Sequence, residues 1–84
     1  MSPVVLVVDD ERKIRDLVRS YLERAGIDVL TTDSGAEAIV MARRNPPDLV
    51  VLDLGLPDVP GDEVAREIRL AGDVPVLMLT ARAT

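Results

Sequence analysis

The sequence of 84 residues contains no cysteine, histidine, tryptophan or phenylalanine, and its single aromatic residue is Tyr21. Without cysteine these residues cannot form a disulfide, a thiol nucleophile or a cysteine-ligated metal site. Without histidine they lack the side chain that most often acts as an acid or base near neutral pH and that commonly ligates zinc. Any chemistry must therefore use carboxylates, hydroxyl groups, backbone groups and a bound ion.

Positive charge is also scarce, because 10 Lys and Arg residues stand against 15 Asp and Glu residues, for a formal net charge of −5. Nucleic acids and anionic lipids bind clustered positive charge, so we predict no direct nucleic-acid binding and no membrane association. No apolar run approaches the length of a membrane span, and the opening run VVLVV does not resemble a signal peptide. The default expectation is one domain in the cytoplasm.

Apolar runs alternate with helical patterns along the chain. Three continuous runs cover Val4–Val8, Leu49–Leu52 and Val74–Leu79, and the more mixed segment Ile27–Thr31 predicts an edge strand. Continuous apolar runs are typical of strands buried on both faces of a parallel sheet. This alternation predicts a doubly wound α/β fold of four strands and three helices. With right-handed crossovers and the strand order 2-1-3-4, one helix would cover one face and two helices the other.

Each predicted helix has apolar residues at helical spacing. These residues are Ile14, Leu17, Val18, Tyr21 and Leu22 in the first helix, Ala36, Ile39, Val40 and Ala42 in the second, and Val64, Ala65 and Ile68 in the third. Gly26 and Gly72 are placed to end the first and third helices. Ser34 and Glu37 have capping-box spacing at the start of the second.

The fourth predicted strand is as apolar as the central strands but would lie at an open edge of the sheet. A long apolar edge strand is an aggregation hazard. We therefore expect either further chain after Thr84 or a second chain over this surface, as a homodimer or by segment exchange through the fourth strand.

Polar side chains follow three of the predicted strands where each strand ends. Asp9 and Asp10 follow the first strand, Asp53 the third and Thr80 the fourth. The carboxyl ends of parallel strands share one sheet edge, which is where open α/β folds bind ligands. Converging carboxylates repel unless one is protonated or a cation joins them, and hard oxygen ligands suit Mg²⁺. A carboxylate beside Mg²⁺ can accept a phosphoryl group as an aspartyl phosphate, and a hydroxyl such as that of Thr80 can bond a phosphoryl oxygen.

Simpler interpretations exist for each residue taken alone. Asp10 is suited to cap a helix that starts at Glu11, Asp53 to form a turn, and Thr80 to end a strand without a chemical task. Four polar groups at three strand ends of one edge are difficult to explain by capping alone, so a shared site is the better interpretation.

The segments VVDDE, LVVLDLGLPDVPG and VPVLMLTA together resemble the receiver domain of bacterial two-component response regulators. The resemblance covers the whole chain and implies a flavodoxin-like sheet. It implies that Asp53 is the phosphoacceptor, which receives a phosphoryl group from a sensor histidine kinase. Thr80 is then the switch hydroxyl, Ala81 the small residue beside it, and Pro57 and Gly61 shape the loop after the acceptor.

The same resemblance implies a Mg²⁺ site. Asp10 would ligate the ion directly, Asp9 through a water molecule, and Asp53 and the backbone carbonyl of Gly55 would supply further oxygens.

The resemblance also implies a further helix, strand and helix, with a lysine on the fifth strand that pairs with the phosphoryl group. No residue of this sequence matches that lysine, so we expect residues 1–84 to be the N-terminal portion of a receiver domain. Enzymatic activity would be at most a weak autophosphatase. The parent protein would control an output, with transcription through a DNA-binding domain as the expected one. The alternative is a catalytically impaired fragment that acts only as an interaction module.

Two other classes fit the sequence less well. An aspartate-nucleophile hydrolase of the haloacid dehalogenase type needs a second acid two residues after the nucleophile, where this chain has Gly55. A nucleotide or flavin binder needs a glycine-rich first turn, whereas this chain has Asp9, Asp10 and Glu11 there.

Overall fold

A computed structural model describes residues 2–79, which form one parallel sheet with helices on both faces. The elements in chain order are β1 (Val4–Val8), α1 (Arg12–Arg24), β2 (Asp28–Thr32), α2 (Gly35–Arg44), β3 (Leu49–Asp53), α3 (Gly61–Ala71) and β4 (Val76–Leu79). The strands lie in the order β2-β1-β3-β4 and all pairs are parallel. The predicted doubly wound α/β fold and its strand order are confirmed.

The register of the central strands brings their carboxyl ends level with one another. Val8 of β1 pairs with Thr32 of β2 on one side and with Leu52 of β3 on the other. Asp53, the last residue of β3, pairs with Leu79 of β4. The residue after β1 is therefore placed beside the last residue of β3.

Side chains alternate between two apolar layers along the central strands. The layer under α2 and α3 is the larger, and its buried residues are Leu6, Val8, Ala38, Ala42, Val50, Leu52, Leu56, Val64, Ala65, Ile68 and Val74. The layer under α1 contains Val5, Val7, Val29 and Val51. The predicted arrangement of one helix on one face and two on the other is confirmed.

The face of α1 is buried less than its sequence pattern predicts. Val18 and Leu22 pack against the sheet, but Leu17 is 54% exposed and Tyr21 is 65% exposed. The helical spacing of Tyr21 predicts that its side chain packs against the sheet, and the structure shows that this prediction is wrong. Within the described residues α1 is the one helix on its face, so the side of the helix that turns away from the sheet has no neighbour to contact.

The fourth strand is shorter and more exposed than its apolar run predicts. It begins at Val76 and not at Val74, because Pro75 has no N–H to donate to the sheet, although its carbonyl accepts from the Val50 N–H at 3.0 Å. Leu77 is 52% exposed and Leu79 is 38% exposed. Both side chains lie on the thinly covered face, so the expected open apolar edge is present.

Smaller differences concern β2 and α2. The second strand covers Asp28–Thr32, one residue later than predicted. Of the predicted apolar residues of α2, Ala36 and Val40 are exposed, whereas Ala42 is buried together with Ala38, which the pattern did not include. Gly26 ends α1 as predicted, with a φ of 80° that favours glycine.

None of the helices within residues 2–79 is long and apolar enough to cross a membrane.

Candidate functional site

Three carboxylates meet at the edge of the sheet where β1 and β3 end. Asp9, Asp10 and Asp53 each present an oxygen that lies within 4.8 Å of the others. Asp9 is buried, with 7% of its surface exposed, while Asp53 is half-buried and Asp10 is exposed. The structure therefore brings together the three acids that the sequence predicts as one site.

Asp9 is held by hydrogen bonds on its backbone and on its side chain. Its N–H donates to the Thr32 carbonyl at 3.1 Å, which extends the pairing of β1 with β2 by one residue. Its carboxylate Oδ1 accepts from the Glu11 N–H at 2.9 Å, and its carbonyl accepts from the Arg15 guanidinium at 2.7 Å. The carboxylate is thus fixed in direction without being neutralised by an ion pair.

Asp53 takes part in a local turn as well as in the acidic cluster. Its Oδ1 accepts from the Gly55 N–H at 3.0 Å, and the next residue, Leu54, donates its N–H to the Leu79 carbonyl at 3.1 Å. The interpretation of Asp53 as a turn acid is therefore correct as far as it goes. The turn bond uses Oδ1 and leaves Oδ2 for a cation or an incoming group.

The interpretation of Asp10 as a helix cap does not agree with the structure. The first helix begins at Arg12 rather than at Glu11, and its N-cap residue is Glu11, which makes no side-chain capping bond. The side chain that bonds a free N–H near this helix start belongs to Asp9. The carboxylate of Asp10 is placed in the acidic cluster instead.

The environment of Asp9 raises the pKa of its carboxyl group. Burial is the main cause that raises the pKa of Asp9, and the negative charges of Asp53, Asp10 and Glu11 raise it further. The hydrogen bond from the Glu11 N–H acts in the opposite direction but is outweighed. Burial of the ionised Asp9 carboxylate, together with charge repulsion in the cluster, therefore costs free energy in the metal-free protein.

Replacing Asp9 with Asn is expected to stabilise the metal-free protein at pH 7 by about 1–2 kcal/mol, since it neutralises one member of a like-charge cluster. Below the unfolded-state pKa of about 4, both states hold the proton and the penalty is absent. As pH rises through the higher folded-state pKa, only the wild type loses stability. The amide oxygen of the introduced side chain would still accept the hydrogen bond from the Glu11 N–H.

Urea unfolding of the two proteins in a chelator, at pH 7 and at pH 3.5, measures this difference. Asp33→Asn is the matched control, because Asp33 is an exposed acid outside the cluster. An equal gain at both pH values would contradict the expected dependence on the Asp9 charge.

The chemistry of these donors fits a hard divalent cation. Every side-chain donor is a carboxylate oxygen, and a bound cation would offset the repulsion among the three acids. Among the described residues this is the one group of three or more potential ligand side chains close enough to share an ion.

The remaining predicted site residues are Gly55, Thr80 and Ala81. Gly55 lies in the exposed turn after Asp53, and a Cβ built on it would lie 3.6 Å from the nearest Asp53 carboxylate oxygen, an ordinary contact. A side chain would therefore be tolerated there, and a ligand role for Gly55 rests on its carbonyl. Thr80 and Ala81 lie outside the described residues.

The sequence interpretation missed two residues near the site. Arg15 reaches from α1 to the Asp9 carbonyl, and Asp58 bonds the N-terminus of α2 from the loop after β3. The helical register of Arg15, one turn after the acids, is a signal that could have indicated its contact. Asp58 bonds residues 22 to 24 positions away, a separation at which sequence pattern gives no indication.

Known proteins are similar to this chain in sequence and in structure. The family described as "Response regulator receiver domain" matches residues 5–84. The alkaline phosphatase synthesis transcriptional regulatory protein PhoP of Bacillus subtilis is 46% identical over 83 residues, which cover 98% of this chain and 35% of that protein. The chain spans about a third of the length of the curated relatives that it matches, between 30% and 36%.

Solved receiver structures have the same fold. The N-terminal domain of a response regulator receiver protein from Methanoculleus marisnigri is 39% identical, with a TM-score of 0.88 over 96% of this chain and 68% of that chain. The chemotaxis protein CheY4 of Vibrio cholerae is 32% identical, with a TM-score of 0.91 over all of this chain and 72% of that chain. The fold is accordingly flavodoxin-like, and this chain belongs to the family of response regulator receiver domains of two-component systems.

Proposed function

We propose that the chain is a phosphoacceptor module of a two-component phosphorelay, in which Asp53 receives the phosphoryl group of a sensor histidine kinase. The observation that carries this proposal is the convergence of Asp9, Asp10 and Asp53 within 4.8 Å at the carboxyl edge of the sheet. A carboxylate oxygen of Asp53 would attack phosphorus while the bond from phosphorus to the kinase imidazole nitrogen breaks. The imidazole then takes up a proton, and Asp53 becomes an acyl phosphate.

The metal in this proposal is Mg²⁺, bound by Asp10 directly, by Asp9 through water, and by Asp53 and the Gly55 carbonyl. When bound, Mg²⁺ would offset the negative charge that gathers on the phosphoryl oxygens. Asp9 orients the loop that carries Asp10, because its own carboxylate is tied to the Glu11 N–H. The turn bond from Gly55 to Oδ1 directs the other oxygen of Asp53 outward.

Thr80 and Ala81 complete the proposed site. Thr80 follows Leu79, which pairs with Asp53 in the sheet. A hydroxyl one residue after this partner is suited to bond a phosphoryl oxygen, and the small side chain of Ala81 would leave room for the group. A change in this hydroxyl bond would report phosphorylation to the rest of the protein.

The wider role belongs to the parent protein. The related PhoP is named a transcriptional regulatory protein, and this chain matches about a third of it. We propose that residues 1–84 form the N-terminal portion of a receiver domain that acts in the cytoplasm and controls a DNA-binding output domain. Any enzymatic activity would be limited to weak autophosphatase activity. The second candidate is an interaction module that binds partners without phosphotransfer.

Self-association through β4 is a further part of this proposal. Within residues 2–79, Leu77 and Leu79 are exposed on the face that only α1 covers, beside a strand edge that pairs with no other described strand. A second copy of the chain, bound edge to edge or by segment exchange, would bury both side chains. Sedimentation velocity over a wide concentration range tests this, and a monomer throughout would contradict it.

Saturable binding of one Mg²⁺ ion, measured by isothermal titration calorimetry, is the expected result for the wild-type chain. Asp10→Asn should weaken binding by about 10-fold or more, because it removes one of the few charged ligands of a hard cation. Asp28→Asn is the control, since Asp28 begins β2 at the opposite end of the sheet. Absence of saturable binding, or equal binding by Asp10→Asn, would contradict the proposed site.

A further inference from the structure

The loop that follows Asp53 is joined to the start of α2 by the carboxylate of Asp58. Oδ1 of Asp58 accepts from the Gly35 N–H at 3.0 Å, and Oδ2 accepts from the Ser34 hydroxyl at 2.9 Å and the Ala36 N–H at 3.1 Å. The Ser34 hydroxyl in turn accepts from the Glu37 N–H at 3.1 Å. These four bonds, named here the Asp58 cap, satisfy the first three N–H groups of α2.

The Asp58 cap connects through Ser34 to the acidic cluster. The Ser34 N–H donates to the Thr32 hydroxyl at 3.2 Å, and Thr32 is buried with 5% of its surface exposed. The Thr32 carbonyl accepts from the Asp9 N–H at 3.1 Å. Asp58 is therefore connected to Asp9 by a series of hydrogen bonds that passes through Ser34 and Thr32. This series joins the loop after β3 to the carboxyl ends of β2 and β1.

The segment between β3 and α3, residues 54–60, holds the turn that contains Gly55. Its apolar anchor is Leu56, which is 8% exposed and packs in the larger apolar layer. Among the described residues of this segment, Asp58 is the one whose side chain forms hydrogen bonds with another element. Without those bonds, the loop would be held by the packing of Leu56 and Val59 and by the Leu54 N–H bond to the Leu79 carbonyl at its start.

We infer that Asp58 and Ser34 are positioning residues that hold the Gly55 turn in register with Asp9 for divalent cation binding. This inference rests on the proposed function, because it concerns the geometry of that same metal site. The Gly55 turn follows β3 and Asp9 follows β1, so the two parts of the site reach each other through the β2–α2 connection as well as through the sheet. The Asp58 cap fixes this second route.

The cap stays charged under physiological conditions. Hydrogen bonds from the Gly35 and Ala36 N–H groups lower the pKa of Asp58 to about 2. The carboxylate is thus ionised throughout the range in which Mg²⁺ binding can be measured, and loss of the cap requires a substitution rather than a pH change.

Magnesium affinity of folded variants tests the inference. Asp58→Asn and Ser34→Ala are each expected to raise the Mg²⁺ dissociation constant by up to about 10-fold, the lower end of the effect of residues that support metal ligands. The double variant should bind little more weakly than either single variant, because both changes break one connected set of bonds. Amide hydrogen exchange at Gly55 in the metal-free protein should become faster in each variant.

Two controls separate positioning from charge and from stability. Asp62→Asn removes the same charge four residues away, in the first turn of α3, from a side chain that bonds no other residue within the described part of the chain. Ile68→Val removes one buried methyl group from the core, remote from the site, and so lowers stability without touching the Asp58 cap. Both should leave the Mg²⁺ dissociation constant within about twofold of the wild type.

The outcomes distinguish this inference from the proposed function. Saturable wild-type binding with an unchanged dissociation constant in Asp58→Asn overturns the positioning role and leaves the metal site standing. A weaker affinity in Asp62→Asn equal to that in Asp58→Asn also overturns it, since charge alone would then explain the effect. No saturable binding by the wild type overturns both.

Discussion

Replacing Asp53 with Asn is expected to eliminate phosphoryl incorporation from acetyl phosphate, a decrease of about 10³-fold or more in rate. An amide has no anionic oxygen to attack phosphorus, while its shape matches that of the carboxylate. Asn keeps an oxygen that can accept from the Gly55 N–H, so the turn after β3 should persist. Intact mass spectrometry in the presence of Mg²⁺ measures the result as gain or absence of one phosphoryl group.

Two further variants distinguish loss of the phosphoacceptor from loss of a metal ligand and from the removal of an unrelated carboxylate. Asp10→Asn retains the phosphoacceptor but loses a proposed metal ligand. Its rate of phosphoryl incorporation should therefore fall by about 10²-fold, and a high Mg²⁺ concentration should partly restore it. Asp28→Asn, at the far end of the sheet, should incorporate phosphoryl groups like the wild type. Incorporation that persists in Asp53→Asn would contradict the assignment of the acceptor.

The wild type itself decides between the two candidate functions. A gain of one phosphoryl group would show that residues 1–84 support phosphoryl transfer to an aspartate. Saturable Mg²⁺ binding with no gain would favour an interaction module that keeps the metal site.

Replacing Gly61 with Ala is expected to lower the free energy of unfolding by about 3 kcal/mol, at the upper end of the usual cost of overpacking. A Cβ at this position would lie 2.7 Å from the Leu54 Cα and 3.1 Å from the Asp53 carbonyl oxygen. Both contacts are with backbone, which cannot rotate away as a side chain can. The total free energy of unfolding of a domain of this size is only about 4–13 kcal/mol.

Thermal unfolding followed by far-ultraviolet circular dichroism measures this effect, with an expected decrease in Tm of about 10–20 °C. Gly72→Ala is the matched control, because a Cβ there meets no atom within 4 Å and the backbone is extended, with a φ of 169°. Equal decreases in both variants would contradict the explanation by close approach. The added methyl group of Gly61→Ala should push the Leu54 backbone away, and this movement should also disturb Asp53, its neighbour in the chain.

The central sheet and the acidic cluster follow from local sequence pattern. The continuous apolar runs predict β1 and β3 to within a residue, because strands buried on both faces leave no polar position inside them. The clustering of Asp9, Asp10 and Asp53 then follows from parallel topology, since strand ends in register bring their next residues together. The capping role of Ser34 was also predictable from its spacing with Glu37.

The features that could not be predicted depend on contacts between distant parts of the chain. Helical spacing identifies Leu17 and Tyr21 as apolar positions but does not tell whether a neighbouring element covers them. The capping-box pattern predicts that the Ser34 N–H donates to the Glu37 carboxylate, yet that N–H donates to the Thr32 hydroxyl. The bonds of Asp58 to α2 depend on how the loop after β3 folds over the sheet.

The exposed position of Tyr21 has a spectroscopic consequence. It is the sole aromatic residue in the sequence, and it stands on the solvent side of α1 with 65% of its surface exposed. Near-ultraviolet absorbance and intrinsic fluorescence of these residues therefore report on the surface of α1 and are nearly blind to the packing of the core. The same isolation makes Tyr21 a background-free fluorophore for any molecule that comes to rest on that helix.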